Sequence, residues 1–148
     1  MVLLSAFIIN FGSGEIDMNT VRSAFGKAAD NKKLCNEMID ALKASAENNL
    51  CLAYLGGYQA VWANHVTNPF SKLQTFNDGK KNIEKAVRTE PGNLEIRLIR
   101  YSVQQNAPSF LDYSSRLNED EKFIRKNLHA ISNPLVVKMA NELLNRQE

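Results

Sequence analysis

The stretch from Asn49 to His65, NLCLAYLGGYQAVWANH, has almost no solvent face on a helical wheel. Ala53, Gly56, Gly57, Ala60 and Ala63 make one side small. Tyr54, Tyr58 and Trp62 recur every four residues on another side, flanked by Cys51 and Val61. A helix that is apolar nearly all round is a buried one, so this stretch predicts a central helix on which the others pack. Its small side admits a neighbouring backbone at close range, and its aromatic side fills a wider gap to a second layer.

The remaining segments read as further helices. An apolar stripe of Val21, Phe25 and Ala28 predicts a helix from about Met18 to Ala29, with Asp17 or Asn19 as its cap. Leu34, Met38, Ile39, Leu42 and Ser45 share one face of a second helix over Lys32–Ala46. Asn48-Asn49 ends that helix and caps the central one. Asn68-Pro69 opens a long fourth helix, with asparagine as cap and proline at its first position. Phe70, Leu73, Phe76, Ile83, Ala86 and Val87 are expected to face inward on it. Asn77-Asp78-Gly79 offers a break that would leave two shorter pieces, and Pro91-Gly92 is the stop. A fifth helix starts at Asn93, where Arg97 and Arg100 follow Glu95 closely enough for surface pairs, and Pro108 ends it. Residues 107–117 lack clear periodicity but contain Phe110 and Tyr113, which implies a segment folded back onto the core. Asn118 with Glu121 makes a variant capping box for a sixth helix, and Asn133-Pro134 starts the last.

The cap-and-apolar starts at Asn49, Asn93 and Asn133 recur at intervals of 44 and 40 residues, each interval holding two helices. Helix pairs repeating at such a period are the mark of a stacked α-solenoid. Leu55-Gly56 in the first helix of one pair, then Gly79, Ile83, Ala86 and Pro91 in the second, resembles the tetratricopeptide pattern. Gln59 stands where that family has tyrosine, and the match covers the middle third of the chain. The resemblance implies an all-α fold: about seven helices in antiparallel pairs, stacked as a short right-handed superhelix over residues 15–148. The whole chain also looks like small helical proteins exported by bacteria, a resemblance that brings a fold and no activity.

Val2–Phe11 is apolar and is followed by Gly12-Ser13-Gly14, so residues 1–14 read as the remnant of a signal peptide without its basic region. The alternative is a first core segment. The first reading places the protein in the periplasm or outside the cell, the second in the cytoplasm. No stretch is long enough for a transmembrane helix. Cys35 and Cys51 could pair in an exported protein; their spacing matches no metal or redox motif, and buried thiols are the favoured reading.

Little in the chain points to chemistry. Net charge is +2, which gives no large positive field for nucleic acid. Lys80, Lys81, Lys85 and Arg88 form a basic face without interleaved exposed aromatics, the pattern of a solvated helix. His65 and His129 have no ligand or base at helical spacing and read as helix C-terminal residues favoured by the dipole. Asp112 with Glu119, Asp120 and Glu121 lacks the alternation and glycine of a calcium loop and reads as favourable charge at a helix start. No nucleophile elbow, phosphate loop or zinc-protease motif occurs, so no enzyme, cofactor or metal is expected. Tyr54, Tyr58, Trp62, Phe110 and Tyr113 are the candidate binding set, able to line the inner groove of a superhelix and anchor a protein or peptide partner. The competing reading makes all five core. The expected function is therefore a non-catalytic protein-interaction module, with a helical carrier of an apolar small molecule or lipid as the alternative.

Overall fold

The computed structural model describes residues 15–146. Among them all regular structure is helical: α1 (Met18–Phe25), α2 (Lys32–Lys43), α3 (Asn49–Trp62), α4 (Pro69–Thr89), α5 (Leu94–Asn106), α6 (Leu117–Asn127) and α7 (Pro134–Asn145). The signal-peptide reading falls on residues 1–14 and lies outside the described residues. No described helix is long and apolar enough to cross a membrane.

Asparagine side chains start most of these helices by accepting from orphan amides of the first turn. Asn31 caps α2, Asn68 caps α4, Asn93 caps α5 and Asn133 caps α7. The cap of α3 is Asn48, whose Oδ1 accepts from Leu50 and Cys51, rather than Asn49. Asn49 is already helical and donates its Nδ2 to the Ala86 carbonyl at 2.9 Å and to Glu90 at 2.7 Å, tying α3 to the end of α4.

Eight consecutive residues of α3, Cys51–Tyr58, are buried, as an all-round apolar helix requires. α2, α4 and α5 all pack on it, α4 most extensively. The α3–α4 crossing is backbone against backbone. A Cβ on Gly56 would lie 2.5 Å from the Gly79 carbonyl oxygen, and one on Gly79 would lie 2.6 Å from that of Gly56. Gly79 therefore does not break α4, which runs unbroken for 21 residues; glycine is there to admit α3. Gly56, Gly79, Ile83 and Ala86, four of the residues that carry the tetratricopeptide resemblance, are buried together in this region.

Two expectations for the later helices are overturned. The box of Asn118 and Glu121 is not used: α6 begins at Leu117, with no side-chain cap. The Arg116 amide instead donates to Gln104 Oε1 at 3.0 Å, so a residue of α5 sets where α6 starts. Arg97 and Arg100 do not form surface pairs with Glu95. Both are buried around Asp120, which is wholly buried. Arg97 Nε donates to Asp120 Oδ1; Arg100 reaches both carboxylate oxygens at 2.7 and 2.8 Å, and Gln104 adds a bond of 2.8 Å. Burial works against the charge of Arg100, but its bonds to Asp120 and the nearby Glu84 outweigh that, leaving its pKa above the ordinary value. Of the acidic group, Asp120 is thus an internal counter-ion clamping α5 to α6.

A second apolar cluster joins Leu98 and Tyr101 of α5, Ile124 of α6 and Val136, Ala140, Leu143 and Leu144 of α7. α7 also packs on α1, and Asn133 Nδ2 donates to Asn19 Oδ1 at 3.2 Å. The first and last described helices therefore meet.

Candidate functional site

The five candidate aromatics are not gathered on one surface. Tyr54 and Tyr58 are fully buried, with Phe25 of α1 edge-on to both rings at 5.6 and 5.2 Å. Tyr58 donates to the Val21 carbonyl at 2.6 Å, and Tyr54 donates to Glu95 at 2.7 Å. Glu95 also holds Arg22 through two bonds, so one carboxylate links α1, α3 and α5. Burial raises the pKa of both phenols, which keeps them neutral donors. Tyr113 is likewise buried; its hydroxyl donates to Glu84 at 2.7 Å and its ring lies edge-on to Phe76 at 5.9 Å. Trp62 is half-buried on the α2 side, with Lys32 Nζ 5.5 Å from its ring and His65 beside it. Only Phe110 stands out into solvent, 81% exposed.

Phe110 is held out by local backbone geometry. Pro108 ends α5, Ser109–Leu111 form one 3₁₀ turn, and Asp112 takes the left-handed conformation with φ 47°. That reversal sends Tyr113 to the core and leaves Phe110 outside. Asp is among the few residues that adopt this conformation at small cost.

Phe110 lines an open groove of about 1210 Å³. Its floor is the edge of the core: Phe25, Ala60, Phe76 and Val103. Leu73 of α4, Leu111, and Leu135 and Met139 of α7 also line the groove. Along α7 the lining residues are Leu135, Lys138, Met139, Glu142, Leu143 and Arg146, one stripe at helical spacing. Leu73 and Phe70 were expected inside; they are 46% and 85% exposed. The first turns of α4 rise beside the groove, and no described helix covers that face.

The histidines and thiols bring no chemistry to this groove. His65 hydrogen-bonds through Nε2 to the Ala28 carbonyl at 2.9 Å, joining the end of α3 to the turn after α1, and His129 is exposed. Cys35 and Cys51 are free and buried, and burial pushes the Cys35 thiol up to about 11. Among the described residues no group of three His, Cys, Asp or Glu side chains is placed to hold a metal ion.

Leu73 was visible in the sequence as an apolar residue but not as an exposed one. Its stripe continues without interruption into Phe76 and Ile83, and where that stripe leaves the core is set by tertiary packing that no local pattern records. The chain matches no protein-family model, no curated protein and no solved structure.

Proposed function

We propose that the protein is a non-catalytic interaction module that holds a segment of a protein partner in the groove between α4 and α7. The observation that carries this reading is one groove lined by exposed Phe110 and Leu73 together with buried Phe76. Exposed apolar side chains gathered beside buried apolar surface mark sites of interaction with a partner. The anchors in this reading are Phe110 and Leu73 rather than Tyr54, Tyr58, Trp62 and Tyr113. The tetratricopeptide-like superhelix belongs to the same proposal, supported by the Gly56–Gly79 crossing. If residues 2–14 act as a signal, the partner lies in the cell envelope.

A carrier of an apolar small molecule is the second reading, and the apolar floor supports it. The groove volume of about 1210 Å³ exceeds the roughly 300–1,000 Å³ usual for small-molecule pockets, which favours a peptide or helix. Peptide-display selection on the intact protein tests the proposal. Selected peptides should lose binding to a Leu73→Asp/Phe110→Ser variant whose melting temperature matches that of the parent. Peptides that bind this variant undiminished would refute the groove as the site.

A further inference from the structure

The groove carries charge as well as apolar surface. Five of the chain's 18 Lys and Arg residues line it, Arg22, Lys27, Lys72, Lys138 and Arg146, against two of its 16 acids, Asp30 and Glu142. The chain as a whole is only +2, so outside the groove acids outnumber bases. Its positive excess is gathered here. Arg22 is engaged by Glu95 at 2.7 Å, and Lys138 lies 3.9 Å from Glu142. Lys27, Lys72 and Arg146 are exposed and have no carboxylate of a described residue within 4.0 Å. They stand on three separate elements: the turn after α1, the first turn of α4 and the C-terminal end of α7.

We infer that the occupant of the groove is an amphipathic segment of a protein partner, apolar along one face and acidic along its flanks. This rests on the reading of the groove as a docking site and names the chemistry that would fill it. One exposed lysine contributes little to binding. Cations spaced around one apolar floor create a local potential that selects anionic partners and rejects basic ones. A fatty acid brings one carboxylate at one end and can answer only one of the three cations. A segment with several Asp or Glu side chains along its length can answer all three. The α7 stripe gives such a segment a helix face to lie against.

The test is a parallel selection of random 16-residue peptides on the intact protein and on two variants, Lys27→Glu/Lys72→Glu/Arg146→Glu and Leu73→Asp/Phe110→Ser. All substituted positions are exposed, and circular dichroism and melting temperature establish that each variant is folded. The expected parent pool is rich in Leu and Phe, with Asp and Glu outnumbering Lys and Arg. Its peptides should bind the charge-reversed variant roughly tenfold more weakly, and raised salt should narrow that difference. A pool that depends on Leu73 and Phe110 but has no acidic excess, and binds the charge-reversed variant equally, overturns the inference while leaving the docking site in place. No pool that depends on Leu73 and Phe110 overturns both. Stoichiometric binding of oleate without any such pool overturns both in favour of a carrier.

Discussion

Asp120 accepts from two buried arginines and a glutamine, so removing its charge takes the buried counter-ion from two guanidinium groups and leaves them only the partly exposed Glu119 and Glu84. Breaking such a cluster by deleting one partner costs far more than the intact cluster contributes, because the desolvation penalty of the survivors is left uncompensated. Asp120→Ala is expected to cost about 3–5 kcal/mol, read as a lowered urea midpoint. A loss below about 1 kcal/mol would mean that water reaches the arginines. Cys35 gives a second prediction. With its thiol pushed up to about 11 by burial, almost no thiolate exists at neutral pH, and thiolate is the reactive form. Labelling by a thiol reagent at pH 7 should therefore track global unfolding in a urea series; rapid labelling of the native protein would contradict the packing of α2 on α3. Neither arrangement could be read fully from the sequence. The buried thiols were visible as apolar positions on helix faces. The Asp120 cluster was not, because charged residues are ordinarily exposed and its partners lie 16 to 23 residues away.

At the scale of elements, the α3–α4 crossing sets the molecule's interior. A methyl group on either glycine meets a backbone carbonyl of the other helix, which cannot rotate away as a side chain can. Gly56→Ala and Gly79→Ala are each expected to destabilise by about 1–3 kcal/mol or more, measured by thermal unfolding. Alanine favours an isolated helix over glycine by roughly 1 kcal/mol, so a stabilised variant would show that the helices do not cross so closely. Asn133→Ala should cost about 1 kcal/mol, since its side chain caps α7. These features were largely legible: small residues, Asn-Pro starts and continuous apolar faces are local signals. The α6 start was not, because the amide of Arg116 is satisfied by Gln104 of another helix. Nor was the unbroken α4, where Asn77-Asp78-Gly79 reads as a turn unless the partner helix at Gly79 is known.

Across the whole molecule, α7 reaches back to α1, as in the contact of Asn133 with Asn19 across 114 residues of sequence. No local pattern announces such a contact, nor which apolar residues of α4 stay uncovered, and so Phe70 and Leu73 read as core. On the proposal above, this groove binds an acidic, amphipathic partner segment. Hydrogen–deuterium exchange of the intact protein, with and without the tightest selected acidic peptide, tests it most directly. Slowed exchange is expected in residues 69–77, 107–111 and 135–146, with 32–43 and 117–127 unchanged. Protection confined to 32–43 or 117–127, with the groove segments unaffected, would contradict it.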